Sequence, residues 1–149
     1  MKPTEQVAGK SENSEVEVYY HTRKAAELHT ELYFQATVFP SQESVSNLAQ
    51  LGLYEKAAVI KILAGVKPED ALEIAYKSTQ NIHDSWTKNE GVTAITETPR
   101  SSMLGDVFVL KGQAYTVASF GFTALERFDP TPEVKKTVAR KYDSEGPSF

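Results

Sequence analysis

Hydrophobic and polar residues alternate along residues 16–22, which is the pattern of a half-buried β-strand. Residues 31–39 are rich in aromatic and β-branched side chains and end at Pro40, so they predict a second strand. The segment between them, residues 23–29, fits either a long hairpin loop or a short helical turn.

Two later segments have the spacing of amphipathic helices. Residues 41–51 begin at Ser41, a residue type that caps helices, and they end before Gly52. Residues 67–82 carry Pro68 in the first turn, acidic residues near the positive end of the helix dipole and one apolar stripe. The second segment is the clearest helix pattern in the chain.

Residues 54–64 fit both a buried strand and a helix, since their apolar positions favour neither period. We favour a strand because the segment is rich in β-branched residues and a clear helix start follows at once. Three short strands are predicted after a polar loop, at residues 92–96, 106–110 and 114–120, with a tight hairpin turn at Gly112.

Together these elements predict an α+β domain. Its antiparallel sheet would have five to six strands, open or closed into a barrel, with two helices packed on it. Residues 1–14 are polar and predict a disordered leader. Residues 15–128 would form the single domain, and residues 129–149 a loose tail with one short helix at about 132–141.

The amino-acid composition excludes several kinds of site. The chain of 149 residues has no cysteine, which excludes disulfides, thiol catalysis and thiolate metal sites and favours a reducing compartment. No segment approaches the ~20 apolar residues that span a bilayer, and the first residues lack a hydrophobic signal core. We therefore expect a cytoplasmic protein with no membrane partner.

The net charge argues against a protein that binds nucleic acid mainly through the phosphate backbone. Sixteen basic residues face twenty acidic ones, and the net charge is −4. The densest basic run lies beside acidic residues, so we interpret it as the solvated face of an amphipathic segment. Its members are Lys135, Lys136, Arg140 and Lys141.

The sequence contains no known catalytic constellation. His83, Asp84 and Ser85 are consecutive, whereas triads assemble in space from separate positions. His21, His29 and His83 are predicted to lie on the surface. No HExxH spacing and no glycine-rich phosphate loop occurs, so we expect no catalytic residues, no metal and no cofactor.

Residues 100–106 concentrate polar residues before a predicted strand. Gly105 supplies conformational freedom at a sharp turn, and Asp106 can bind nearby backbone amides. Ser101 and Ser102 can satisfy amides on the other side of that turn, while Arg100 can pin the loop through a carboxylate. The candidate carboxylates are Asp84, Glu90 and Asp106. A structural role for this stretch is favoured over binding, and binding over catalysis.

Two aromatic features complete the candidate site. Phe120 and Phe122 have the same parity, which predicts both rings on one face of the last strand. Trp86, the only tryptophan, would either seal the sheet, with its N–H bonded to a backbone carbonyl, or stay exposed as a binding anchor. Sealing is favoured because an exposed indole promotes aggregation. The candidate binding residues are Trp86, Asp84, Arg100, Ser101, Ser102, Asp106 and Phe122.

Residues 75–122 resemble a family of small proteins from phages, plasmids and related mobile elements that is described as YodL-like. The shared positions are Ala75, Tyr76, Thr79, Asn81, Trp86, Arg100, Ser101, Gly105, Asp106, Val107, Gly121 and Phe122. The chain departs from the pattern at Met103, where the family has a second serine. The resemblance implies a small cytosolic accessory protein of a mobile element.

Three functions follow for testing. The leading hypothesis is a non-enzymatic accessory protein that binds a host or self protein, such as the basic surface of a polymerase, nuclease or defence enzyme. The alternative is a nucleic-acid-binding module. Its stacking candidates are Tyr19, Tyr33, Phe34 and Trp86. A second alternative is a metal-dependent phosphate-ester hydrolase. Its candidate residues are Asp84, Glu90, Arg100 and Asp106.

Overall fold

A computed structural model describes residues 13–131 of the chain. The strands are β1 (Ser14–His21), β2 (Tyr54–Ile62), β3 (Val92–Ala94), β4 (Val107–Leu110), β5 (Gln113–Val117) and β6 (Phe122–Leu125). The helices are α1 (Arg23–Leu28), α2 (Thr30–Val38), α3 (Gln42–Gln50), α4 (Pro68–Ser78) and a 3-10 helix (Trp86–Lys88). The predicted helix near 132–141 and nearly all of the predicted leader lie outside the described residues.

The six strands form one antiparallel sheet in the order β3-β2-β1-β4-β5-β6. The α+β class and the antiparallel sheet are therefore confirmed. The sheet is open, with β3 and β6 as its edges, so closure into a barrel is wrong. Four α-helices pack on it within residues 13–131, where the sequence predicted two.

Local signals explain the two predicted helices. Ser41 and Ser44 form a capping box at the start of α3, in which each hydroxyl accepts the other residue's backbone N–H, at 3.1 and 2.9 Å. Pro68 occupies the first turn of α4, where its missing N–H has no helical partner in any case. Both helices begin where the sequence predicts.

Within residues 54–64, Tyr54–Ile62 form strand β2, as favoured above, and its buried residues include the β-branched Ile60 and Ile62. The hairpin between β4 and β5 turns at Lys111 and Gly112, whose φ angles are 51° and 82°. Positive φ at both central residues is the geometry of a type I′ turn, which matches the twist of the flanking strands.

The predicted strand at residues 31–39 is wrong, because these residues form α2. A strand here that formed a hairpin with β1 would need a free edge of β1, and both edges are occupied by β2 and β4. As a helix, the segment buries Ala36 completely in the core and leaves Phe34 on its outer side. Tertiary packing overrides the β-propensity of this segment.

The end of the last predicted strand is also wrong. β5 stops at Val117, and the chain turns back through residues 118–121, where the Ala118 N–H donates to the Gly121 carbonyl. The tip of this turn leaves Phe120 97 % exposed, whereas Phe122 is half-buried in β6. The two rings do not share one face of one strand.

Each face of the sheet carries a separate core. On one face, α4 and the 3-10 helix cover a cluster that includes Val18, Trp86 and Phe108. On the other face, α1 to α3 cover a cluster that includes Leu48 and Val107.

No helix within residues 13–131 combines the length and the apolar character needed to cross a membrane.

Candidate functional site

The carboxylate of Asp106 is completely buried and accepts four hydrogen bonds. Arg100 donates two of them in a bidentate pair, from Nη1 to Oδ2 and from Nη2 to Oδ1, both at 2.8 Å. The backbone N–H groups of Met103 and His21 donate the others, at 2.8 and 3.1 Å. Of the three carboxylates proposed for Arg100, Asp106 is the partner. We call Tyr20, His21, Arg100, Ser102 and Asp106 the Arg100 cluster.

Strand pairing brings the cluster together. β1 and β4 pair up to Tyr19 and Val107, and the residues just beyond that pair are Tyr20, His21 and Asp106. Asp106 therefore faces the last residues of β1, although 85 positions separate it from His21 in the sequence.

Gly105 allows the turn that places Asp106. Its φ is +88°, and a Cβ atom at this position would lie 2.5 Å from the carbonyl oxygen of Ala36. Only glycine fits so close a contact between two backbone segments. The Tyr54 hydroxyl donates to the Gly105 carbonyl at 2.7 Å and holds the turn against β2.

His21 is 3 % exposed, so its predicted surface location is wrong. Its Nδ1 lies 3.3 Å from Nη2 of Arg100, which can only donate, and its Nε2 lies 3.0 Å from the Leu104 carbonyl. These partners assign the proton to Nε2 and leave Nδ1 as an acceptor. Burial lowers the pKa of His21, and the charge of Asp106 opposes that effect only in part. The imidazole is therefore neutral at pH 7.

Arg100 also contacts aromatic side chains. The guanidinium carbon lies 4.0 Å from the centroid of the Tyr20 ring, which is cation–π geometry. Burial of the guanidinium disfavours its charge, but the hydrogen bonds and charge of Asp106 outweigh this and raise the pKa of Arg100. Burial raises the pKa of Tyr20 to about 12. Both side chains keep their protons across the physiological range.

Trp86 seals the fold, as favoured from the sequence. Its side chain is fully buried, and Nε1–H donates to the Arg100 carbonyl at 2.7 Å. The Tyr20 hydroxyl donates to the same carbonyl at 2.8 Å. The indole and the phenol ring meet edge to face, with centroids 6.3 Å apart.

The two serines tie the loop to the end of α4. The Ser101 hydroxyl accepts the Asn81 N–H at 2.8 Å, and the Ser102 N–H donates to the Thr79 carbonyl at 3.0 Å. The Ser102 hydroxyl lies 2.6 Å from the Thr79 hydroxyl and donates to the Tyr20 hydroxyl at 3.1 Å. Their amide and carbonyl partners thus belong to the segment after α4.

Asn81 is a structural residue that motif reasoning did not single out as a site. Its Oδ1 accepts the Trp86 N–H at 2.8 Å, and its Nδ2 donates to the Pro99 carbonyl at 3.1 Å. A polar residue just past a helix end and five positions before the lone tryptophan was the available signal.

Asp84 and Phe122 lie apart from the cluster. Asp84 is exposed and forms an ion pair with Lys88 at 3.3 Å, while the Ser85 N–H and Lys88 lower its pKa. Phe122 packs against Phe108 and Tyr76, with centroid distances of 5.7 and 6.4 Å. Of the predicted site residues, the structure therefore gathers Trp86, Arg100, Ser101, Ser102 and Asp106.

The hydrolase alternative needs a set of metal ligands. Within residues 13–131, no group of three or more histidine and acidic side chains is placed to hold a metal ion. The carboxylate oxygens of Asp106 already accept hydrogen bonds from Arg100 and from backbone N–H groups. Within the described residues, no serine is hydrogen-bonded to a histidine, and the His21 ring contacts the Leu104 carbonyl and Arg100.

A cleft of 640 Å³ opens beside the cluster and is lined in part by Tyr20, Tyr33 and Arg100. The Arg100 side chain is 33 % exposed there, yet its charge is matched by the buried carboxylate of Asp106. The arrangement works as an internal clamp that joins β1, β4, α4 and the loop before β4.

Comparisons with protein-family models, with curated proteins and with solved structures find no match to this chain.

Proposed function

We propose that this protein is a non-enzymatic accessory protein that acts by binding another protein. The strongest support is the contrast between its polar groups, which bond one another, and its exposed apolar side chains. The reactive groups of the Arg100 cluster bond one another, whereas large apolar side chains stand in solvent. Phe120, Phe39 and Phe34 are 97 %, 70 % and 55 % exposed. Aromatic side chains are enriched at protein interfaces relative to the rest of a protein surface.

The resemblance to small proteins of mobile elements motivates the context. It implies a phage or mobile-element protein in the host cytoplasm, with a host or self protein as its partner. The net charge of −4 suits a basic target surface, such as the nucleic-acid-facing side of a polymerase, nuclease or defence enzyme.

The nucleic-acid alternative has weaker support. Trp86 is fully buried and therefore has no free face for a base. Tyr19 packs edge-on against Phe128, at 5.4 Å between centroids. Such modules need exposed stacking rings and a cationic groove, and of the four stacking candidates only Phe34 is exposed.

Affinity capture tests the proposal. The full chain is immobilised and exposed to bacterial lysate at low and at moderate salt, and an unrelated acidic protein of similar size serves as the control for charge. We expect at least one protein to be retained by the chain and not by the control. Retention of no such protein at either salt concentration would refute the proposal.

Fluorescence anisotropy with single-stranded oligonucleotides tests the alternative separately. We expect dissociation constants weaker than about 100 µM at low salt, which is no tighter than non-specific binding. Tighter, saturable binding would favour the nucleic-acid module instead.

A further inference from the structure

A groove runs between α4 and the β5–β6 hairpin, on the face of the sheet opposite to α1, α2 and α3. It consists of two adjoining depressions of 390 and 190 Å³ that share Glu73, Gly121 and Phe122. We call it the α4–β6 groove. Because β6 is the edge of the sheet, the groove lies beside a strand with one unpaired side.

One wall of the groove is a single row on α4. Its members lie at positions i, i+3, i+4 and i+7, which stack along one side of a helix. They are Glu69, Leu72, Glu73 and Tyr76. The floor and opposite wall come from Tyr115, Val117 and Phe122 of the hairpin. Phe122 is held in place by Phe108 and Tyr76, so the apolar floor is preformed.

The charges that line the groove are all negative. Glu69, Asp70 and Glu73 border it, and no lysine, arginine or histidine is among its lining residues. Within residues 13–131, none of these three carboxylates takes part in a salt bridge. An apolar floor beside unpaired carboxylates favours a ligand that is both apolar and cationic.

A large exposed ring adjoins the groove. Phe120 sits in the turn of residues 118–121, whose other members line the groove, and it is 97 % exposed. An aromatic side chain this exposed beside a preformed apolar slot adds contact area for a partner. The groove thus offers an apolar floor, an acidic wall and an aromatic rim.

We propose that the α4–β6 groove binds a basic segment of a partner protein. An aromatic or aliphatic side chain of that segment lies against Tyr115 and Phe122, and its lysine or arginine side chains pair with Glu69 and Glu73. This inference rests on the proposed function as a protein-binding accessory protein, and it specifies the surface and the chemistry of the partner.

Selection from a library of random 12-residue peptides tests the inference. The full chain is the target, and individual selected peptides are then measured by fluorescence polarisation. The test variant is Glu69→Lys/Glu73→Lys, called the double variant below. The matched control is Glu27→Lys/Glu43→Lys, which makes the same change of charge at exposed residues of α1 and α3 on the opposite face. Circular dichroism checks that both variants are folded.

We expect the selected peptides to be net positive and to carry at least one large apolar residue. Their affinity should fall about tenfold or more in the double variant and stay within about twofold in the Glu27→Lys/Glu43→Lys control. Raising the salt concentration should weaken binding to the wild-type chain. No enrichment, enrichment without a positive bias, or equal binding to the double variant would overturn the inference.

Two further measurements distinguish an error about the groove or its occupant from an error about the proposed function. Capture of one lysate protein equally by the wild-type chain and the double variant would overturn the groove and leave the proposed function standing. In the full chain, replacing Lys135, Lys136, Arg140 and Lys141 by glutamine tests whether the protein's own basic residues occupy the groove. Peptide binding at least tenfold tighter in that variant would overturn a partner as the occupant.

Discussion

Replacing Asp106 by alanine should destabilise the fold by about 3 kcal/mol. The substitution leaves the Arg100 guanidinium and the N–H groups of His21 and Met103 without their acceptor. Removing one partner of a buried ion pair costs about 3–5 kcal/mol. We expect the lower end because Arg100 is 33 % exposed, so water can solvate part of its charge. A typical domain has only about 5–15 kcal/mol to lose.

Urea unfolding followed by tryptophan fluorescence measures this loss. Trp86 is the only tryptophan, and its N–H donates to the Arg100 carbonyl, so its emission reports directly on the clamp. With a slope of about 1–3 kcal/mol per molar urea, the midpoint should fall by about 1–3 M at an unchanged slope. Asp84→Ala is the matched control, because that carboxylate is exposed and pairs only with Lys88 and the adjacent backbone. It should leave the midpoint unchanged.

A second substitution distinguishes the cost of leaving the Arg100 charge unpaired from the cost of the lost hydrogen bonds. Arg100→Met in the Asp106→Ala background removes the stranded guanidinium while it keeps an apolar stem over Tyr20, so part of the stability should return. A loss below about 1 kcal/mol for Asp106→Ala alone would show that the clamp contributes little to the stability of the fold.

Three further predictions follow from the same contacts. Trp86→Ala should cost about 3–5 kcal/mol in urea unfolding because a fully buried ring is removed; an unchanged midpoint would contradict its sealing role. Gly105→Ala should lower the melting temperature far more than Gly112→Ala, since both have positive φ but only the Cβ at 105 would meet the Ala36 carbonyl, and equal shifts would refute this. Burial lowers the pKa of His21, so the unfolded chain takes up this proton first, near its ordinary pKa of 6.5. The free energy of unfolding should therefore be highest above pH 6.5 and fall as the pH decreases below it. If His21→Gln shows the same fall, protonation of His21 is not its cause.

The candidate site was predictable in part. The sequence places Arg100, Ser101, Ser102 and Asp106 within seven positions, and their structural role follows from the chemistry of a sharp turn. His21 was not predictable, because 79 positions separate it from Arg100. A histidine at a strand end is ordinarily exposed, and only the pairing of β1 with β4 buries this one.

The sequence by itself determined the elements whose causes are local. Three local signals each span only a few residues. They are the capping box at Ser41, the proline and acidic residues at the start of α4, and the turn at Gly112. Tertiary structure decided the elements whose causes are distant. Residues 31–38 have β-propensity but belong to α2, which packs Ala36 into the core, while β2 and β4 leave no edge of β1 free for a hairpin partner. His21 reaches Arg100 across 79 positions because β1 pairs with β4, and a pattern of residues along the chain does not encode this contact.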